Sequence, residues 1–506
     1  MDPDPSPQEP VAGVAAEALG RQPVSDRLGD LSGDLRQTAA RGTVINAGFL
    51  TGLQTLNLVK GLVVAAFLTT TDYGVWGLLA VSIGTLGFLK QVGVGDKYVQ
   101  QDEPDQELAF QKAFTLELVL DLMLVVVVVA TLPAFALLYG ESEIVAPGLL
   151  MALAIPAVAL QAPLWILYRR MRFARQRVLQ SVDPIVSFVV TIALAAAGAG
   201  YWSLIIGLVA GTWVAAIVAV AFSPYKLALR YDRGTLREYA SFSWPLFGAQ
   251  VGGIAISLLT VIVGQAELGV AGVGLLTIAT TIGVYAEKVD GIITETLYPA
   301  ICAVRDRTEL LAESFVKSNR LAMMWGVPFG LALALFAPDL VDFVIGDRWQ
   351  PAVGLIQAYG LIAAANQVGF NWNAYFMARG ETRPVLVVTA AVFVVFVVVA
   401  LPLLVSEGLD GLAIGMCVVT ATLLAGRAYY LRRLFHGFSI VTHTARALAP
   451  SVPAVAVVLA ARSLENGERT GTTAVAELVL YLAVTITATA LLERALLREA
   501  VGYLRR

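Results

Sequence analysis

About fourteen long apolar stretches divide this chain, and each runs for about 17–25 residues, enough to cross a bilayer core of ~30 Å as a helix. Only helices and closed barrels satisfy their backbone groups in lipid, and these stretches are too long and too uniformly apolar for barrel strands. The composition agrees, because 58% of the residues are hydrophobic, 14% are charged and the mean hydropathy is +0.74. The sequence therefore predicts an all-α polytopic membrane protein.

The loops between the predicted spans alternate in charge. We place the spans at 44–68, 75–95, 113–138, 147–168, 182–199, 201–222, 241–263, 271–296, 317–337, 350–376, 384–405, 409–431, 446–462 and 472–492. Arg and Lys are concentrated in the loops after the even-numbered spans, at Lys97, Lys112, Arg169, Arg170, Arg172, Arg175, Arg177, Lys226, Arg230, Arg233, Arg237, Arg305, Arg307, Arg379, Arg383, Arg432 and Arg433. Short cytoplasmic loops carry the excess of these residues, so we predict that both termini are cytoplasmic. Arg348, Arg462 and Arg469 are exceptions, and each lies near Asp or Glu.

The hydropathy and charge pattern divides the chain into four predicted segments. Residues 1–40 are rich in Pro, Asp, Gln and Ser and are predicted to form a disordered cytoplasmic tail. Residues 41–238 and 239–435 are predicted to form two six-helix bundles, and residues 436–506 add two further transmembrane helices and a short cytoplasmic tail. A short internal repeat supports the two bundles, because WGLLAV in span 2 is echoed by VGLLTI in span 8.

The sequence excludes several other classes of protein. No loop is longer than about twenty residues, so no soluble catalytic domain fits, and the phosphate-binding GxxxxGK[ST] motif is missing. We find neither a Ser/His/Asp set nor a cluster of metal ligands, and we predict a protein that is not an enzyme and has no cofactor or metal. Cys302 and Cys417 are interpreted as packing residues, and His436 and His443 as solvated loop residues. A pI of about 5.6 without a basic run argues against nucleic acid as a partner.

Several short motifs occur in an order and spacing found in one family of membrane proteins. They are DYG at 72–74 leading to QVGVG at 91–95, RRMRF at 169–173 followed by GYWSL at 200–204, FSWPL at 242–246 and GDRW at 346–349. With these motifs the chain resembles, over roughly residues 40–440, the polysaccharide-type flippases of the MOP superfamily. These are the Wzx-like transporters of lipid-linked oligosaccharides.

The resemblance implies two six-helix bundles that face each other in a pseudo-symmetric V and open alternately to either side. It also implies a polyprenyl-linked oligosaccharide substrate, a precursor of polysaccharide or lipopolysaccharide, which moves from the cytoplasmic to the outer leaflet of the cell membrane. Other candidate partners are membrane lipids, H⁺ or Na⁺ as a coupling ion, and other polysaccharide-assembly proteins.

Two competing functions remain. The first is a multidrug or metabolite cation antiporter of the same superfamily, whose members commonly use a carboxylate in span 1, where this chain carries Lys60 instead. The second is a membrane glycosyltransferase or polysaccharide polymerase, which would need catalytic carboxylates on a sizeable loop, and the loops here are short and lack such pairs.

Polar side chains within the predicted spans are candidates for a substrate cavity, because ionisable groups are costly in the middle of a membrane. Gln54, Asn57 and Lys60 recur every three residues in span 1, which gathers them on one face. A cationic, hydrogen-bonding face suits a pyrophosphate or an acidic sugar. The alternatives for Lys60 are a side chain that snorkels to the interface or one that pairs with a structural carboxylate. Lys90, at the end of span 2, is a further cavity candidate.

Span 10 carries a second candidate surface. Tyr359, Asn366 and Asn373 recur every seven residues, roughly two helical turns, which predicts one polar and aromatic face. Such a face can hold a sugar by stacking and by amide hydrogen bonds. Hydrogen bonds between helices are the alternative role for these amides.

Carboxylates within the spans are candidates for ion coupling. Glu287 and Asp290 lie in span 8, and Glu117 and Asp121 lie four residues apart on one face of span 3. Structural ion pairs are the alternative, with Lys60 or Lys90 for the span 8 group and with loop arginines for the span 3 pair. Three loop arginines, besides setting the orientation, are candidates for contact with anionic lipid headgroups: Arg169, Arg170 and Arg172.

Overall fold

The computed structural model describes residues 33–498 except 91–92, 102, 171, 232, 288–289, 291–292, 295–296, 298–300, 303, 436–437 and 466–468. Over these residues, helices are the only regular secondary structure. In chain order the α-helices are α1 (Gly33–Phe67), α2 (Thr70–Gly87), α3 (Val94–Gln100), α4 (Gln106–Tyr139), α5 (Val145–Ala152), α6 (Ala154–Ala159), α7 (Pro163–Arg169), α8 (Phe173–Gln180), α9 (Val182–Ala196), α10 (Trp202–Ala221), α11 (Arg233–Val284), α12 (Thr308–Leu340), α13 (Val353–Asn366), α14 (Trp372–Ala378), α15 (Arg383–Val395), α16 (Leu401–Leu434), α17 (Ile440–Leu448), α18 (Val452–Leu464) and α19 (Gly471–Leu492). Most of the predicted tail and His436 lie outside the described residues, whereas residues 33–40 of that tail already belong to α1.

Among the described residues, eight helical segments are long and apolar enough to cross a membrane, and the bent pair α17 and α18 brings the number to nine. This confirms the all-helical polytopic class. Two of the eight, Gly252–Glu287 and Arg383–Leu434, contain a glycine in a backbone conformation that other residues rarely adopt. These are Gly269 (φ 68°, ψ −178°) and Gly408 (φ 64°, ψ −136°). Both fall between two predicted spans, so the chain can change direction there.

Helix α2 and the C-terminal part of α11 pack closely through small residues. A Cβ atom at Gly74 would overlap the Val270 carbonyl, and one at Gly274 would overlap the Thr70 carbonyl. The two segments of the internal repeat, which belong to these helices, therefore lie against each other. A larger side chain at either glycine would force α2 and α11 apart.

The loops meet at the two ends of the bundle. At one end the Asp72 carboxylate accepts from the Tyr201 N–H at 2.9 Å, and Gln265 donates to the Tyr139 carbonyl at 3.2 Å. We call this end the Trp349 face; it comprises the segments 66–72, 139–141, 200–201, 265–269 and 346–349. We call the other end the arginine face; it carries Arg169, Arg170, Arg379, Arg383, Arg432 and Arg433.

Two of the arginines that break the charge pattern, Arg462 and Arg469, bind the carboxylates of Asp339 and Glu477. Arg462 lies 2.9 Å from Asp339 and 3.0 Å from Glu477, and Arg469 lies 2.7 Å from Glu477 and also pairs with Asp339. Hydrogen bonds to these carboxylates raise the pKa of Arg469 above its usual range. The cluster ties α18 and α19 to the end of α12, so local partners occupy both arginines.

The C-terminal helices are also attached to α12 near the arginine face. Arg320 of α12 pairs with Glu493, which follows α19. The His443 ring nitrogen Nε2 lies 2.7 Å from the Asn319 side-chain oxygen, and this histidine is only 7% exposed. The interpretation of His443 as a solvated loop residue was therefore wrong, because α17 folds back onto α12 and buries the imidazole.

Candidate functional site

A cavity of about 440 Å³ lies inside the bundle, between α2, α11, α13 and α16. Its walls combine aliphatic side chains with the hydroxyl groups of Ser257, Thr260, Thr277, Thr280 and Thr281. Three of the sequence-predicted candidates also line it, namely Glu287, Tyr359 and Asn366. The volume falls within the ~300–1,000 Å³ typical of ligand sites.

The polar end of this cavity is built on a break in predicted span 10. Helix α13 ends at Asn366 and α14 begins at Trp372, with Gly369 at φ 68° between them. The Asn366 side chain donates to the Glu287 carboxylate at 2.8 Å, and Gln367 donates to Asp290 at 3.2 Å. The break therefore brings the two amides to both candidate carboxylates of span 8.

A buried arginine holds the break in place. Arg427 of α16 donates to the Asn366 carbonyl at 2.7 Å and to the Val368 carbonyl at 2.8 Å. These carbonyls would otherwise have no helical partner, because the helix ends there. Arg427 also interacts electrostatically with Glu287 and Asp290. One cation therefore compensates both the free carbonyls and the two carboxylates.

Asn319 of α12 supports the same break from the other side. Its side-chain nitrogen donates to the Gln367 carbonyl at 2.7 Å, and its side-chain oxygen accepts from the Gly369 N–H at 3.1 Å. The same Asn319 oxygen lies 2.7 Å from the His443 ring nitrogen Nε2, which links α17 to this break. The C-terminal helices therefore contact the polar end of the cavity through a short chain of side chains.

The candidates of span 1 lie elsewhere in this structure. The Lys60 ammonium donates to the Ser187 hydroxyl of α9 at 3.1 Å, and it interacts electrostatically with Asp183 of the same helix. Gln54 and Asn57 are half-buried on α1, and no residue of α1 lines the 440 Å³ cavity among the residues described.

Lys90 and the span 3 carboxylates form one cluster of their own. The Lys90 ammonium lies 2.8 Å from Glu117 and also pairs with Asp121, whose side chain is fully buried. The alternative that loop arginines would pair with these carboxylates was therefore wrong, because Lys90, in the short turn that follows α2, pairs with both. In this structure Lys90 is a structural partner and does not line the cavity.

The predicted single face of Tyr359, Asn366 and Asn373 is not formed. Tyr359 and Asn366 line the cavity, but Asn373 is exposed. The seven-residue spacing assumes a continuous helix, and the turn between α13 and α14 changes the direction in which later side chains point.

Two of the three arginines proposed for lipid headgroups have protein partners. Arg169 donates to the carbonyls of Tyr98 and Val99, at 3.0 and 2.7 Å. It thereby provides hydrogen-bond donors for carbonyl groups in the last turn of α3. Arg170 donates to the Tyr225 hydroxyl at 2.8 Å and lies 4.9 Å from the centre of that ring. Arg172 is exposed.

The sequence analysis missed Arg427, Asn319 and Asp183. The sequence does point to Arg427, because this charged residue lies within an apolar span and is for that reason a functional or structural candidate. Asn319 and Asp183 lie near the predicted ends of spans, where polar residues are common. Nothing in the sequence pairs them with span 10 or with Lys60.

At the Trp349 face, hydrogen bonds join the end of α1 to the loop that precedes α13. Arg348 donates to the carbonyls of Ala66 and Leu68 at 3.1 Å, and the Trp349 indole donates to the Ala65 carbonyl at 3.0 Å. Cations are favoured at the C-terminus of a helix, where the last carbonyls have no helical partner. We call this contact the Arg348 latch.

We expect Arg348→Ala to open the Trp349 face. Hydrogen bonds to charged groups contribute about 1.5–3 kcal/mol, so the open conformation should become roughly tenfold or more populated. The measurement is the rate at which a membrane-impermeant maleimide, added from the Trp349 face, labels Thr277→Cys in a Cys302→Ser/Cys417→Ser background. Asp347→Asn, in the same loop, is the matched control. Equal labelling rates in all three proteins would show that Arg348 does not hold this face closed.

The helical bundle, with its internal polar cavity, has the membrane-protein fold of the MOP superfamily. The chain belongs to the family of polysaccharide biosynthesis proteins, whose model matches residues 63–354. It is therefore a transporter of the Wzx-like type and not an enzyme, as the sequence analysis predicted.

Individual relatives are distant. The chain is 27% identical to the lipopolysaccharide biosynthesis protein WzxC of Escherichia coli (strain K12), over 19% of each protein. It is 21% identical to the succinoglycan biosynthesis transport protein ExoT of Rhizobium meliloti (strain 1021), over 60% of this chain and 63% of that protein. In both comparisons the match spans less than two thirds of the relative. The structure of the lipid II flippase MurJ in an inward closed conformation aligns with a TM-score of 0.66 at 11% identity, covering 90% of this chain and 100% of MurJ, which shows the fold.

Proposed function

We propose that this protein moves a lipid-linked oligosaccharide, a precursor of polysaccharide or lipopolysaccharide, across the cytoplasmic membrane by alternating access. The observation that carries the proposal is the 440 Å³ cavity, whose hydroxyl, amide, phenol and carboxylate groups lie inside an apolar bundle. Sugars present many hydroxyl groups, and a wall of this kind can exchange hydrogen bonds with them. Membership in the polysaccharide biosynthesis family favours the same class of substrate.

The proposal includes about fourteen transmembrane helices in two six-helix bundles, at 41–238 and 239–435, plus two at 436–506. The interruptions at Gly269 and Gly408 support this number, since each divides one long helical segment at a predicted loop. We further propose that the arginine face and both termini are cytoplasmic, with the residues that precede α1 as a tail.

The test is the fate of the glycan in a strain that lacks this chain. We expect surface polysaccharide to be lost while complete lipid-linked precursor accumulates in the cytoplasmic leaflet, and the intact gene should restore export. Normal export in the deletion strain would contradict the proposal. Altered sensitivity to cationic compounds in that strain would favour the alternative, a multidrug or metabolite cation antiporter, which the carboxylates beside the cavity could serve.

We propose that Glu287 and Asp290 couple transport to H⁺ or Na⁺. Glu287 accepts a hydrogen bond from the Asn366 amide and Asp290 accepts one from the Gln367 amide, both at the break in span 10. Asp290 retains one oxygen without a hydrogen-bond partner among the described residues. Glu287→Gln removes the charge and keeps the shape, so we expect export to fall at least tenfold and to lose its dependence on the ion gradient. Glu267→Gln, an exposed position of α11, is the control. Wild-type export that ignores both proton and sodium gradients would rule out coupling.

A further inference from the structure

A second and larger cavity opens at the arginine face. It is separate from the 440 Å³ cavity, which we call the transport cavity. The larger cavity has a volume of about 980 Å³ and lies between the start of α12, the segment that joins α14 to α15, and the end of α16. A neighbouring cavity of about 470 Å³ shares Thr308, Arg379 and Glu381 with it and adds Arg305 and Asp306. None of these residues lines the transport cavity. We call the two together the arginine cavity.

The arginine cavity has an excess of positive charge. Its walls carry four arginines and two carboxylates: Arg305, Arg379, Arg383, Arg433, Asp306 and Glu381. The carboxylates are already paired, since Glu381 lies 3.0 Å from Arg379 and Asp306 lies 3.7 Å from Arg305. Over the described part of the chain, Arg383 and Arg433 form no ion pair. Two guanidinium groups are therefore available for an anionic ligand.

Two helix N-termini add to this positive field. Helix α12 begins at Thr308 and α15 begins at Arg383, and both starting residues line the arginine cavity. The first backbone N–H groups of a helix have no helical partner and attract anions, phosphate above all. In α15 the second residue, Pro384, supplies no N–H, so Arg383 and Val385 are the first donors. Planar guanidinium groups bind phosphate oxygens in pairs. The cavity therefore combines the two protein groups that most often bind phosphate.

The remaining walls are apolar. Phe376, Pro384, Val387, Tyr430 and Leu434 line the cavity together with Gly380 and Thr382. A soluble phosphate would gain nothing from these side chains. A phosphate that is attached to a hydrocarbon chain would contact the arginines with its headgroup and the apolar side chains with the first part of its chain.

We propose that the arginine cavity binds the phosphate or diphosphate headgroup of a membrane lipid. The headgroup would lie between Arg383, Arg433 and the N-termini of α12 and α15. Two lipids carry this chemistry, the anionic phospholipid of the bilayer and the polyprenyl diphosphate of a lipid-linked sugar. Binding at this site does not depend on the proposed transport function, so the two can fail separately.

The experiment measures lipid binding to the purified full-length protein in neutral detergent, by microscale thermophoresis. The probes are phosphatidylglycerol, sugar-free polyprenyl diphosphate, phosphatidylcholine and inorganic pyrophosphate. The test variant is Arg383→Gln/Arg433→Gln. The control is Arg432→Gln, which removes a charge from the same face beside Arg433 but does not line the cavity. Thermal melting of each variant verifies that it is folded.

We expect one anionic lipid to bind wild type and the Arg432→Gln control alike, and to bind the double variant at least tenfold more weakly. Preference for phosphatidylglycerol identifies the phospholipid as the ligand, and preference for polyprenyl diphosphate identifies the substrate lipid. Equal affinity of the folded double variant and the wild type would overturn the proposal. Equal binding of inorganic pyrophosphate and the lipids would also overturn it, since the apolar wall would then have no role.

Discussion

Arg427→Ala is expected to destabilise the protein more than any other single change discussed. The substitution leaves the carbonyls of Asn366 and Val368 without a donor and removes the cation that faces Glu287 and Asp290. Removing one partner from a buried charged group costs about 3–5 kcal/mol. We expect a marked fall in the melting temperature of the purified protein and a loss of export.

Two further variants make this prediction specific. Arg427→Lys keeps the charge but cannot present the planar guanidinium fork to two carbonyls, so we expect an intermediate melting temperature. Arg432→Ala changes an exposed arginine of the same helix and should melt as the wild type does. If Arg427→Ala melted together with Arg432→Ala, the break in span 10 would not depend on Arg427.

The second large effect is expected at Lys60. In the structure its ammonium donates to Ser187 and interacts electrostatically with Asp183, so we expect Lys60→Met to leave that carboxylate without its cation. The loss of a charged hydrogen bond costs about 1.5–3 kcal/mol, and export should fall by at least tenfold. Surface glycan and the amount of folded protein in the membrane measure the two effects.

A double variant distinguishes a structural from a substrate-binding role for Lys60. If Lys60 compensates Asp183, Lys60→Met/Asp183→Asn should restore folded protein and most of the export. If Lys60 binds the anionic substrate, the double variant should fold but remain inactive, and the structural assignment would be wrong. Lys112→Met, which breaks a partly exposed pair with Glu103, is the control and should have little effect.

The positive-inside pattern illustrates how far sequence reasoning reaches. If the fourteen predicted spans alternate in direction, the arginines after the even-numbered spans lie on one side of the membrane. The three exceptions have partners that the sequence does not reveal: α1 carbonyls for Arg348, and Asp339 with Glu477 for Arg462 and Arg469. An arginine whose side chain pairs with other groups of the same protein does not contradict the positive-inside rule, whichever side of the membrane it lies on.

The candidate site was predictable only in part. Glu287, Tyr359 and Asn366 were selected as polar residues within apolar spans, and they do line one cavity. Asn373 was selected with them because a helical period was assumed, and the break at Gly369 removes that period. Lys90 and Asp121 were assigned separate roles, although they form one ion pair. Residue type indicates that a group needs a partner, but it does not identify which one.

The sequence by itself determined that this chain is an all-helical membrane protein and, through its motifs, to which family it belongs. Hydropathy carries this information because the cost of burying a polar group in lipid acts on each residue locally. Only the tertiary structure decided where span 10 breaks, which cation meets which carboxylate, and that the arginine cavity and the transport cavity are separate. These depend on contacts between helices distant in the chain, and hydropathy does not record such contacts.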